Sequence, residues 1–560
     1  MQNDMITVVR PGVWNVPATT ERDRLNCPGL SPVDRGNTMH TKTLIYFLLG
    51  MILLGINSGC AGMPAAPRAE PQTYWPDNEW RTSTPEEQGI DSAQILAMLG
   101  EIQQSDLNIH SILMIRHGYL VTEVYFPPYT RETKHPLHSI SKSVTSTMTG
   151  IAIQAGYIES VRQNVLDFFP EIAKETEDEN LKALTIEHLL TMSAGFNTNT
   201  LPNLNAQDPG VDTVEYILTH SNVLWQPGET FFYDSGLPHV LSAIIQKRSG
   251  LTLEGYARKK LFDPLGITDF RWGSDPQGIT TGYSGLSLRP RDMAKFGYLY
   301  LHNGGWDEKQ IVPAQWVQSS TTRHIETKGL MNAAEDDGYG YYWWIDSFGG
   351  YSAHGHGGQY IFVLPELDVV VVFTGGLPDP DFPSPHRLLE TYLLPAVQSA
   401  QPLANNPQVL NQLATEIVKV QTPGEPAGTL PVIARQISGK TFQITGDASA
   451  VWPEMITFTF PGGNTYTSEM VMPGETIRNL GGLNNVFYMN QHGEAGEIIS
   501  PLRGYWKDDR TFIEEQNFDL FSEIQFFIVT YTFEGKNVSI QVDSSMGYFP
   551  SLQATGELIE

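Results

Sequence analysis

Cysteine is almost missing: the 560 residues hold only Cys27 and Cys60. Both precede the first segment with a folding pattern, so disulfides and cysteine-based zinc sites are excluded from the folded part. Basic residues are also short. Lys and Arg total 35 against 62 Asp and Glu, a formal charge of −27. With no basic patch to displace counterions from phosphates, a nucleic-acid partner is excluded, and the acidity reads as a solvated surface. Long polar tracts are lacking too. Hydrophobic residues make up 41% and aromatics 11%, enough apolar surface to offset the ordering entropy of large globular domains. At this length, two or more domains are expected.

Long apolar runs are confined to Thr43–Ile56, preceded by His40 and Lys42 and followed by small residues, the order of a secretory signal peptide. The run is short for a spanning helix. It leads into Asn57-Ser58-Gly59-Cys60, which resembles a bacterial lipobox with Asn57 in the place of the usual leucine. The expectation is therefore an exported protein, held at a membrane by lipid on Cys60 or by an uncleaved signal anchor. Residues 1–38 show no period and read as an upstream extension or mis-start, with Met39 opening the signal peptide of 39–60; 61–74 read as a Pro- and Ala-rich tether.

Past the tether, 75–401 alternates helical and strand-like patterns. Ser111–Arg116 and Tyr119–Tyr125 flank His117-Gly118 as a tight hairpin, and Tyr360–Leu364 with Val369–Phe373 form a second pair around Pro365–Asp368. An antiparallel sheet flanked by helices, inserted between its early and late strands, is expected: an α+β domain. Residues 402–426 form a linker with an amphipathic stretch, Val409–Val420. From 427 to 560 the alternation of Met455–Phe460 and Asn537–Val542 predicts an all-β barrel or sandwich.

Three segments carry chemistry. Ser139-Ile140-Ser141-Lys142 opens an apolar helical pattern (Val144, Met148, Ile151). Residues i and i+3 share a helix face, so Ser139 would sit at the positive end of the dipole with the Lys142 ammonium one turn on, an arrangement that suits a nucleophile. Alone the motif is weak: at roughly 7% Ser and 6% Lys a chain this long holds about two by chance. An N-cap serine with a solvated lysine is the competing reading. Tyr233-Asp234-Ser235 follows a Trp225–Thr230 turn and precedes a helical run. Tyr233 is either a core residue or a general base, the second requiring a phenol whose pKa is lowered by a cation such as Lys142. Ala353-His354-Gly355-His356-Gly357-Gly358-Gln359 precedes an apolar strand. Its glycines allow close approach of a substrate carbonyl to a main-chain N–H, which with that of Ser139 would form an oxyanion hole. A two-histidine metal site is the poorer reading, since no third ligand stands at suitable spacing. No metal and no cofactor are expected.

Ser-x-x-Lys, then Tyr-x-Ser about ninety residues later, then a Gly-rich strand start resembles the serine β-lactamase and penicillin-binding-protein superfamily, with its DD-peptidase, esterase and 6-aminohexanoate-dimer hydrolase relatives. Leu184–Phe196, Gly285–Asp292 and Tyr339–Trp344 are similar to that family as well. The resemblance covers about 80–400 and implies a β-lactamase/transpeptidase-like fold, a serine hydrolase acting on a small ester, amide or peptide-like substrate, Ser139 as acylated nucleophile, Lys142 as its proton partner and Tyr233 as second acid/base. The third box is either Ala353-His354-Gly355, giving the His356 N–H to the oxyanion, or His356-Gly357-Gly358, giving that of Gln359. The first is favoured because its spacing to Pro365 is closer to the esterase and 6-aminohexanoate-dimer hydrolase pattern. Lys-Thr-Gly, whose cation and hydroxyl hold the antibiotic's carboxylate in β-lactamases, is missing in either register, and Ser235 stands where Asn is usual. Esterase or amidase activity is thus expected ahead of β-lactam hydrolysis; the alternatives are a DD-peptidase or β-lactamase on peptidoglycan-type substrates, or a silent binding module of the envelope.

Overall fold

The computed structural model describes residues 74–559 except 77–78, 106, 197–199, 202–209, 221–222, 328–335, 423–428, 447–451, 484–485, 493–497, 518–525 and 545–550. The leader, Cys60 and the tether up to Thr73 lie outside the described residues. No helix among those described is long and apolar enough to cross a membrane.

A seven-stranded antiparallel sheet organises residues 79–398. Its strands are β1 (Ile109–Arg116), β2 (Tyr119–Tyr125), β3 (Asp336–Tyr339), β4 (Trp344–Asp346), β5 (Gly350–Gly355), β6 (Gln359–Leu364) and β7 (Val369–Gly375). Their order is β2-β1-β7-β6-β5-β4-β3, so the first strands pair directly with the last, Ile112 opposite Phe373 and Leu113 opposite Val372. Both hairpins predicted from the sequence form. The β1–β2 turn uses left-handed backbone at His117 (φ 49°) and Gly118 (φ 72°), the geometry that matches strand twist in a two-residue hairpin.

Strands β1, β6 and β7 are buried along their whole length because both faces of the sheet are covered. Successive side chains alternate between two cores. Leu113, Ile115, Ile361, Val363, Val370 and Val372 face one core with α2 (Ile140–Gln154), α3 (Gly236–Ser249) and α4 (Pro290–Leu301). Ile112, Met114, Phe362, Val369, Val371 and Phe373 face the other, under α1 (Ser92–Gln104) and the Leu388–Ala396 segment. The amphipathic stretch after 402 is α5 (Pro407–Gln421), which seats Leu413 against this second core.

Beyond 438 the chain is a barrel, not a sandwich. Its strands are β8 (Lys440–Gly446), β9 (Met455–Thr459), β10 (Thr465–Met472), β11 (Glu475–Gly482), β12 (Tyr488–His492), β13 (Ile498–Trp506), β14 (Thr511–Asn517), β15 (Phe526–Glu534), β16 (Asn537–Ser544) and β17 (Leu552–Ile559). Antiparallel neighbours run β11-β10-β9-β8-β17-β16-β15-β14-β13, and a parallel contact between Gly482 of β11 and Arg503 of β13 closes the ring of nine, with β12 paired outside it on β13. Closure removes the free edges that a sandwich would leave.

Candidate active site

Helix α2 is the buried spine of the first domain. Thirteen of its fifteen residues are buried, including Val144, Met148 and Ile151. Four of its hydroxyls are satisfied internally: those of Thr145, Thr147 and Thr149 donate to carbonyls four residues back, while Ser143 reaches the Tyr342 carbonyl at 2.7 Å. A rigid, fully packed helix therefore carries Ser139 and Lys142.

Ser139 caps α2 without making a capping hydrogen bond, and His138 before it adopts left-handed backbone (φ 47°). The hydroxyl is thus free of the helix terminus and turned to Lys142. Lys142 Nζ donates to Ser139 Oγ at 2.8 Å and to the Tyr283 carbonyl at 3.1 Å. Lys142 is 2% exposed, which excludes the solvated-lysine reading. Burial pulls its pKa down to about 7, against the opposing field of Asp234.

Tyr233 enters from the segment before α3. Its ring lies 4.9 Å from Lys142 Nζ, and the Ser139 side chain acts on its hydroxyl. The lowered phenol pKa that a general-base reading requires is not found: burial pushes Tyr233 up, and the Ser139 side chain offsets only part of that rise. A buried phenol loses more by ionising than the neighbouring ammonium loses by giving up its proton, so Lys142 takes the shift instead. Trp344 lies parallel to the Tyr233 ring, centroids 6.1 Å apart.

The third segment ends β5. His354 pairs with Tyr360 and Gly355 with Gln359, leaving His356, Gly357 and Gly358 as the turn. A Cβ on Gly355 would stand 2.2 Å from the Leu137 carbonyl oxygen, so the bare backbone at 355 lets the strand press against the turn into Ser139. The His356 ring meets that of His138 edge-on at 6.1 Å. Gln359 is held elsewhere: its carboxamide donates to the Gly375 carbonyl at 2.5 Å and accepts from the Gly375 N–H at 3.3 Å. His354 stacks on Trp344 and bonds Ser352. Ser235 is the residue from which α3 starts and makes no capping bond there.

Two residues escaped the sequence reading. Asp234, 1% exposed, accepts at Oδ1 from Thr200 N, Thr200 Oγ1 and Gly236 N, at 3.1, 2.9 and 2.8 Å, and its charge acts on Lys142. An acidic residue inside Tyr-x-Ser was the available signal. Tyr283 supplies only a carbonyl, for which sequence gives none. Among the described residues no cluster of three or more His, Cys, Asp or Glu is arranged to hold a metal.

With a serine bonded to a buried lysine, a tyrosine from a second segment and a Gly-rich strand end around one helix terminus, the site and sheet define a penicillin-recognising serine hydrolase scaffold. The β-lactamase family profile matches residues 106–393, and the chain belongs to that family. It is 25% identical over 341 residues to the 6-aminohexanoate-dimer hydrolase of Paenarthrobacter ureafaciens, covering 56% of this chain and 84% of that one. It is 29% identical over 156 residues to the lovastatin esterase of Penicillium rubens, covering 26% and 38%. The octameric penicillin-binding protein homologue from Pyrococcus abyssi superposes with a TM-score of 0.44 at 18% identity, covering 83% and 99%. The protein is a serine hydrolase of the β-lactamase family.

Proposed function

We propose that this hydrolase cleaves carboxylic ester or amide bonds through a covalent acyl-Ser139 intermediate. The observation that carries the reading is the 2.8 Å contact between Ser139 Oγ and a buried Lys142 whose pKa is drawn down to about 7. A neutral lysine accepts the Ser139 proton as Oγ attacks the acyl carbon. The negative oxygen that develops is met by the Ser139 and His356 main-chain N–H groups. Tyr233, held protonated by burial, gives its proton to the departing oxygen or nitrogen and recovers one from the Lys142 ammonium. Water then attacks the ester, its proton passes back through the same groups, and Ser139 is released.

Ester or amide substrates are supported by the relatives named 6-aminohexanoate-dimer hydrolase and lovastatin esterase, and by the missing Lys-Thr-Gly, which removes the cation and hydroxyl that would grip a β-lactam carboxylate. Fluorophosphonate labelling followed by peptide mass spectrometry tests the core of the proposal: an adduct on Ser139 is expected. An unlabelled Ser139 in folded protein would make the fold a binding module. Turnover of short-chain p-nitrophenyl esters with little of nitrocefin is expected; efficient nitrocefin turnover overturns the substrate assignment.

Export and membrane attachment through Cys60 are part of the same proposal, supported by the Thr43–Ile56 run and Ser58-Gly59-Cys60. Mass spectrometry of the mature N-terminus decides it. An unmodified Cys60 behind an intact apolar run means a signal anchor.

A further inference from the structure

Residues 272–286 form a strap closed on itself. Trp272 pairs with Leu286 at its ends, and the Leu286 carbonyl accepts from the Leu137 N–H in the turn into Ser139, at 2.7 Å. The carbonyls of the strap are held one after another by side chains of α2, α3 and Trp272. From α3, Ser242 Oγ donates to the Thr280 carbonyl at 2.6 Å. From α2, Thr145 Oγ1 stands 2.7 Å from the Gly282 carbonyl and Lys142 Nζ 3.1 Å from that of Tyr283. The indole N–H of Trp272 is shared between the Thr281 and Ser284 carbonyls, at 2.8 and 3.0 Å, one on either side of Gly282-Tyr283. Residues i and i+3 share a helix face, so Lys142 and Thr145 on α2, like His239 and Ser242 on α3, turn toward the same strap.

The near end is clamped as well. Fully buried His239 has Nε2 2.9 Å from Asp275 Oδ2, while Asp275 Oδ1 accepts from the Gln277 and Ile279 N–H groups at 3.0 and 2.8 Å. Burial works against the Asp275 charge, but His239 and those N–H groups outweigh it and hold its pKa below the ordinary carboxylate value. The carboxylate can only accept, so His239 Nε2–H donates. Sterics fix the depth: a Cβ on Gly282 would stand 2.1 Å from the Pro238 carbonyl oxygen on the first turn of α3.

A neutral amine has two N–H bonds and one lone pair. With one N–H taken by a carbonyl that is held in place, rotation about the Cε–Nζ bond is restricted and the lone pair can stay on Ser139 Oγ, 2.8 Å away. We propose that His239 and Trp272 are positioning residues for the general base, acting through the Tyr283 carbonyl to aim the Lys142 lone pair at Ser139. This rests on the hydrolase reading and deepens it.

Trp272→Phe keeps the ring and removes the N–H. In hydrolysis of p-nitrophenyl acetate followed across pH, the plateau of kcat/KM is expected to fall ~10-fold, the scale of one hydrogen bond lost from a catalytic alignment. The acid limb is expected to move to lower pH, because the Tyr283 carbonyl also favours the Lys142 ammonium. The other groups facing Lys142 are Ser139 and His138 at the start of α2 and Tyr233 and Asp234 before α3. All are unchanged in this variant. A merely structural role would lower the urea midpoint and leave the limb in place. His239→Leu should lower the plateau in the same way, and His239→Gln, which keeps an N–H donor for Asp275, should recover it; if His239→Leu does not fold, Trp272→Phe decides by itself. Folded Trp272→Phe with the wild-type plateau and limb overturns the proposal, as does His239→Gln no more active than folded His239→Leu. Failure of the hydrolase reading looks different: the wild type itself would neither turn over the ester nor label at Ser139.

Discussion

Lys142 Nζ and Ser139 Oγ are 2.8 Å apart on one turn of a helix that is otherwise sealed in protein. Only the unprotonated amine can accept the serine proton, and burial makes that form available near neutrality. Ester turnover should therefore fall on the acid side with an apparent pKa of about 7, the value to which Lys142 is drawn. A kcat/KM profile that stays flat as pH is lowered through that value contradicts this.

Asp234 tunes the same limb. Its charge favours the ammonium of Lys142, opposing burial. Asp234→Asn keeps an oxygen for the Thr200 and Gly236 donors and removes the charge, so the lysine pKa should drop further. The acid limb should move to lower pH. A shift to higher pH, or none, would show that Asp234 acts only as a hydrogen-bond hub.

Tyr233→Phe keeps the ring that faces Trp344 and removes the hydroxyl. The fold should survive while kcat falls by at least ~100-fold, the usual scale for a general acid/base. Ser139→Ala should abolish acylation, and Lys142→Ala should cost nearly as much, because members of one proton-relay unit are strongly non-additive. Near-normal ester hydrolysis in folded Tyr233→Phe would make Tyr233 a core residue.

At Gly355 the limit is steric. A methyl group would stand 2.2 Å from the Leu137 carbonyl oxygen, so Gly355→Ala must displace either β5 or the turn into Ser139. A loss of about 1–3 kcal/mol is expected, the range for overpacking, together with reduced turnover. Gly100→Ala, on α1 with open space around it, should be neutral or stabilising by about 0.5–1 kcal/mol. Urea titration of both variants checks the contrast.

The barrel carries its own pH response. Glu514 is 2% exposed, hydrogen-bonded by Tyr531, and pushed from 4.5 up to about 7 by burial. Between those two pH values the folded chain keeps a proton that the unfolded chain has released, so stability falls as pH rises through the window, by about 3 kcal/mol for this group. Glu514→Gln should flatten that slope. Thermal unfolding followed across the window reads it, and an unaltered slope would sink the assignment.

The two hairpins, the helical start at Ile140 and the strand alternation after 438 were legible because periodicity and turn chemistry are written in contiguous residues. The order of Ser139, Lys142 and Tyr233 along the chain was legible for the same reason. Barrel against sandwich was not. Alternation says which side chains face inward but not whether the sheet meets itself, and that is decided by one contact between Gly482 and Arg503. Nor was the direction of the Tyr233 shift: a nearby cation lowers a phenol pKa and burial raises it, and the winner depends on how deeply packing sinks the ring. The charge of Asp234 and the Tyr283 carbonyl reach Lys142 from segments that only the folded sheet and helices bring together. Sequence determined the chemical groups and the elements that carry them; tertiary structure decided their protonation and polarity, because these are set by burial and by fields from residues distant along the chain.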